Sequence, residues 1–91
     1  MSQSKVRIPA PLRPLVGGAS EVSVDGNTVG EALQNLGQHG DILDRILDGD
    51  GQLRAFVNVY LGENNIRTLD GLESAVTPGT TIHIVPAVAG G

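Results

Sequence analysis

The chain has 91 residues, 40% hydrophobic but only 2% aromatic, a length that fits one domain around one core. Six basic residues against ten acidic ones leave a formal charge of −4, with Lys5 the only lysine, and that balance excludes a chain built to grip phosphate backbones. Cysteine is absent, which excludes disulfides, thiolate metal ligands and a cysteine nucleophile.

Met1 to Lys5 are polar and no apolar h-region follows them. No apolar run approaches the roughly 20 residues that span a bilayer. The expectation is a soluble, cytoplasmic chain with no membrane partner. Ser4 to Pro9 reads as a strand, Val6 and Ile8 alternating with Lys5 and Arg7. Pro9, Pro11 and Pro14 predict an extended loop, because proline fixes φ and lacks a donor, with Leu12 and Leu15 tucked beneath it. Gly17-Gly18 predicts a turn. Ser20 to Asp25 is a second strand, antiparallel to the first, with Val22 and Val24 inward.

Thr28 stands three residues before Glu31, the spacing of a capping box in which hydroxyl and carboxylate each take a free N–H at the helix start. Val29, Ala32, Leu33 and Leu36 follow on one helical face, and Gly37 and Gly40 suit the helix end. Asp41 to Leu47 predicts a second short helix with Ile42, Leu43, Ile46 and Leu47 on one side. Asp48 to Gly51 is a turn. Leu53 to Leu61 is the strongest strand, with Val57, Val59 and Leu61 on one face and Phe56, Asn58 and Tyr60 on the other. Gly62 to Asn65 reads as a turn, and Ile66, Leu69, Leu72 and Val76 as apolar anchors in a loop-rich stretch. After a turn at Pro78-Gly79, Thr81 to Val85 is the last strand, Ile82 and Ile84 inward, His83 and Val85 outward.

An order of strand, strand, helix, strand, strand with one amphipathic helix gives an α+β chain. Its compact solution is a β-grasp: a mixed sheet of about four strands packed on one main helix, the outer sheet face left open. The organisation expected is a β-grasp domain over residues 1–86 and a flexible C-terminal tail over 87–91.

The catalytic inventory is thin. His39 and His83 fall in different elements with no carboxylate or nucleophile beside them, and they read as a helix-end residue and an outward strand residue. Asp41, Asp44 and Asp48 lie opposite the apolar helix face and read as solvated, so no metal is expected. Asp48 to Gly51 lacks the later glycine and glutamate of a calcium loop. Neither G-x-G-x-x-G nor G-x-x-x-x-G-K-[ST] occurs, so nucleotide chemistry would have to come from another protein. Phe56 and Tyr60 could imitate a base-stacking platform, but the charge has the wrong sign for a nucleic-acid partner.

The tail remains. Pro86-Ala87-Val88-Ala89-Gly90-Gly91 carries no side chain larger than valine beyond Pro86. Fully extended, Ala87 to Gly91 reach roughly 17 Å, slim enough to thread a narrow channel. Glycines at 90 and 91 remove Cβ where another backbone and a nucleotide would come close.

Asn58-Val59-Tyr60-Leu61-Gly62-Glu63-Asn64-Asn65-Ile66-Arg67, Leu69-Asp70-Gly71-Leu72 and the run from Pro78 to Gly91 resemble the ubiquitin-like sulfur carriers. That family includes the small subunit of molybdopterin synthase, the sulfur carrier of thiamin synthesis and the carrier of a cysteine-synthesis pathway. The ending Pro-Ala-Val-Ala-Gly-Gly is most similar to the cysteine-pathway branch. The resemblance covers essentially the whole chain, and it departs at Thr80-Thr81, where many members carry Gly-Asp.

The resemblance implies a ubiquitin-like β-grasp and a carrier, or cosubstrate, rather than an enzyme. An adenylating, E1-like partner would use ATP to activate the Gly91 carboxylate, and a sulfur donor would convert it to a thiocarboxylate. An acceptor such as a cysteine-synthase-like enzyme would consume the sulfur, with a metal-dependent peptidase as a further partner. The chain itself would bind no cofactor. Cysteine or a related thiol amino acid is the favoured destination, with molybdopterin, thiazole and tRNA thiolation left open. Gly91 and Gly90 form the reactive end, Ala87, Val88 and Ala89 the tail, and Phe56, Asn58, Tyr60, His83 and Val85 the expected docking face. The alternatives are a protein modifier joined to lysines through Gly91, and a plain β-grasp interaction domain.

Overall fold

The computed structural model describes residues 3–77 and 79–86. Strands β1 (Gln3–Arg7) and β2 (Glu21–Asp25) pair antiparallel, Lys5 opposite Ser23 and Arg7 opposite Glu21. The last strand, β5 (Thr81–Pro86), runs parallel to β1, with His83 beside Arg7. β3 (Val57–Leu61) is antiparallel to β5, and β4 (Asn64–Asn65) closes the far edge. The sheet order is β2-β1-β5-β3-β4. β1 and β5 are adjacent and parallel, and β5, ending at Pro86, is the middle strand of the sheet.

One face of this sheet carries Val6, Val22, Val24, Val57, Val59, Ile82 and Ile84, all buried. Helix α1 (Val29–Leu36) covers it with Val29, Ala32, Leu33 and Leu36, also buried. Helix α2 (Leu43–Ile46), with Ile42 and Leu47 at its ends, completes one core together with Val16, Ile66 and Val76. The expected capping box is present: Glu31 N–H donates to Thr28 Oγ1 at 3.2 Å. The return bond differs by one residue. Glu31 Oε1 accepts from the Asn27 N–H at 3.0 Å rather than from Thr28, in a turn also held by a bridge between Thr28 and Ala75.

Several expectations are corrected. The proline segment is a 3₁₀ helix over Ala10–Val16, not an extended loop. Proline's φ near −65° serves either conformation, and Pro11 falls in the first turn, where a missing N–H costs nothing. Leu12 and Leu15 pack against the core as expected. The sheet has five strands, because Asn64 and Asn65 pair with Leu61 and Tyr60 instead of completing a turn. β3 begins at Val57, four residues later than expected. Leu69 is 46% exposed and anchors nothing. Asp48 lies beyond α2 and closes the following turn, its Oδ1 accepting from the Asp50 and Gln52 N–H groups at 2.9 and 3.0 Å. Gly40 has a specific reason: a Cβ there would sit 1.6 Å from the Leu15 carbonyl oxygen, so only glycine lets the 3₁₀ helix close against the α1–α2 connection. Pro78 lies outside the described residues. Among the described residues no helix is long and apolar enough to cross a membrane.

Candidate docking face and tail root

Side chains alternate across a strand, so burying Val57, Val59, Ile82 and Ile84 forces their neighbours onto the open face. Register then sets who meets whom. Asn58 stands opposite Val85, and Tyr60 opposite His83. The line continues on both sides: Glu21, Arg7, His83, Tyr60 and Asn65 are successive cross-strand neighbours over all five strands. Four of the five expected docking residues are therefore brought together on one surface.

That surface is graded in chemistry. On the β2 edge it carries Glu21 and Asp25, and at the centre Lys5, Arg7 and His83. Its β3 side is neutral, with Asn58, Tyr60 and Val85. Val85 is 44% exposed, while Asn58, Tyr60 and His83 are half-buried. The Asn65 side-chain amide lies 3.5 Å from the Asn58 oxygen, and Lys5 Nζ is 3.6 Å from Glu21 Oε1. Both groups of the ion pair are substantially exposed, so it orders the surface more than it stabilises the fold.

Phe56 is the exception. It does not share the sheet face, because it precedes the strand. Arg54 to Val57 form a turn closed by the Val57 N–H on the Arg54 carbonyl at 3.0 Å. Opposite Val57 stands Pro86, which has no N–H to extend the ladder. Phe56 is 49% exposed and lines a groove with Leu12, Val57 and Pro86 beside the point where β5 ends. Arg7, on the sheet face, and Arg54, by the groove, were not singled out from sequence. Arg7 was legible as an outward strand residue; nothing in the local pattern marks Arg54.

The remaining candidates stay apart. His39 is exposed in a 3₁₀ turn after α1. Asp41 and Asp44 are exposed, and among the described residues no three histidine or acidic side chains converge as metal ligands. The expected tail residues Ala87, Val88, Ala89, Gly90 and Gly91 lie outside the described residues. What is described is their root: the central strand β5, ending at Pro86 between the graded face and the Phe56 groove.

A five-stranded mixed sheet wrapped on one helix, with parallel first and last strands, defines a ubiquitin-like β-grasp protein. The chain belongs to the ThiS family, whose profile matches residues 6–91. The sulfur carrier protein CysO of Mycobacterium tuberculosis is 39% identical over 89 residues, spanning 94% of this chain and 96% of that protein. The matching chain in the crystal structure of the Amycolatopsis orientalis BexX/CysO complex is 38% identical with a TM-score of 0.89, covering 97% of this chain and 99% of that one. Small archaeal modifier protein 1 of Methanosarcina acetivorans is 31% identical with a TM-score of 0.82, over 100% and 98% of the two chains.

Proposed function

We propose that this protein is a sulfur carrier whose reacting atom sits on the carboxyl group of Gly91. The observation that carries the reading is the family match through residue 91, joined to CysO relatives aligned over nearly their whole length. The position of Pro86 supports it: Pro86 ends the central strand β5, which pairs with β1 over Thr81 to His83 and with β3 as far as Pro86 itself.

The chemistry follows from the weakness of a carboxylate as an electrophile. An adenylating partner holds ATP, and the Gly91 carboxylate oxygen attacks the α-phosphorus, releasing pyrophosphate. The acyl adenylate now has AMP as a leaving group. A sulfur donor at the sulfide level attacks the acyl carbon, AMP departs, and a thiocarboxylate remains. Its sulfur is the nucleophile that an acceptor enzyme uses, with a cysteine-synthase-like enzyme the favoured acceptor and a metal-dependent peptidase a later participant. Positioning and charge stabilisation belong to the partners, and this chain contributes the tail and a docking face of Asn58, Tyr60, His83 and Val85. It is a cosubstrate, binding no cofactor itself, and works in the cytoplasm.

Likeness to an archaeal modifier protein favours a second use of the same activated end, joining Gly91 to lysines of other proteins. Adenylation is common to both uses. The test is pyrophosphate exchange with the purified adenylating enzyme of the same organism. The native chain supports exchange, and a chain extended by one residue past Gly91 does not, although it melts at the same temperature. Normal exchange by the extended chain contradicts the proposal.

A further inference from the structure

Phe56 is the only phenylalanine in the chain, and half of it faces water. A ring left half in water forfeits part of its burial. The turn that bears it is tied down. One Arg67 nitrogen, Nη2, donates to the carbonyls of both Arg54 and Val57, each at 2.8 Å. Those are the first and last residues of the turn. Arg54 Nε donates to the Asp44 carbonyl at 2.8 Å, fixing the same turn to α2. The ring is therefore held outward on a braced support rather than left on a loose loop.

Phe56, Leu12, Val57 and Pro86 supply the apolar part of the groove, and Asp44, Arg45 and Arg54 its charged part. Two guanidinium groups against one carboxylate make it locally positive in a chain of net charge −4. Pro86 is five residues from Gly91. Five extended residues reach roughly 17 Å, so a protein enclosing Gly91 brings its surface to within that distance of the groove.

We infer that this groove is a docking site separate from the open sheet face, in which the adenylating enzyme seats an apolar side chain flanked by a carboxylate. The apolar floor selects the first and the paired arginines the second. Arg67 is a positioning residue that acts through the Phe56 turn. The inference rests on the reading of Gly91 as the activated end.

Calorimetric titration of the purified adenylating enzyme with full-length variants tests it. Phe56→Ser weakens binding at least about tenfold, as expected for a buried aromatic anchor, with no loss of melting temperature. Arg54→Glu weakens binding further at low salt than at high salt, the signature of a lost charge pairing. Arg67→Gln weakens binding, and combined with Phe56→Ser it adds little, because both changes remove one contact. Unchanged affinity in folded Phe56→Ser overturns the inference, as does a native chain that does not bind the enzyme. Additive effects of Phe56→Ser and Arg67→Gln overturn the positioning role. The chain lacking Gly90 and Gly91 checks the parent reading separately: it still binds through the groove but is not adenylated, and adenylation without those residues would overturn that reading instead.

Discussion

The two faces of the sheet are built from alternate residues of the same strands, yet they answer to different demands. Inward, Val6, Val22, Val24, Val57, Val59, Ile82 and Ile84 are aliphatic and buried under α1. Outward, Arg7, Glu21, Asn58, Tyr60, His83 and Val85 are mixed in charge and size, and among the described residues no helix covers them. Ile84 and Val85 are sequence neighbours of similar chemistry, but Ile84 is 3% exposed and Val85 44%. Alternation along the strand, not side-chain chemistry, sets that difference. One period-2 pattern thus divides a covered face from an open one at the resolution of a single residue.

The sharpest way to break this division is from the covered side. Leu33→Ala should cost about 2–5 kcal/mol in chemical denaturation, while the folded fraction binds the adenylating enzyme with native affinity. A negligible cost would mean that α1 does not carry the core. From the open side, Tyr60→Glu should lower affinity about tenfold, or about 1.4 kcal/mol. Its unfolding free energy should stay within about 0.5 kcal/mol of native. The finest test uses the neighbours. Ile84→Val should cost about 1 kcal/mol of stability, whereas Val85→Ala should change stability by less than about 0.5 kcal/mol. Equal costs at the two positions would dissolve the distinction between the faces.

Much of this arrangement was legible in the sequence because burial leaves a periodic trace. Val22 and Val24, Val57 and Val59, and Ile82 and Ile84 each announce an inner face, and the helix stripe from Val29 to Leu36 announces what covers it. Alternation also placed Asn58, Tyr60, His83 and Val85 together correctly. It failed where pattern outran structure. Phe56 continues the alternation on paper, but Arg67, contributed from ten and thirteen residues away, holds Val57 and Arg54 in a turn. Asn64 and Asn65 are too few to show a period, and they become a strand only because Tyr60 and Leu61 lie alongside. The prolines share one φ between extended and 3₁₀ backbone, so packing of Leu12 and Leu15 decided the outcome. The tail carries no periodic signal. Its importance was read from small side chains, a glycine pair and family resemblance.

The most direct measurement is the intact mass of the native protein isolated from cells that also make its adenylating enzyme and sulfur donor. Sulfur carriage predicts a population heavier by the difference between one sulfur and one oxygen atom, with the added mass confined to the C-terminal fragment containing Gly91. A protein that remains entirely unmodified while the pathway runs, or one whose added sulfur maps elsewhere, would contradict the account.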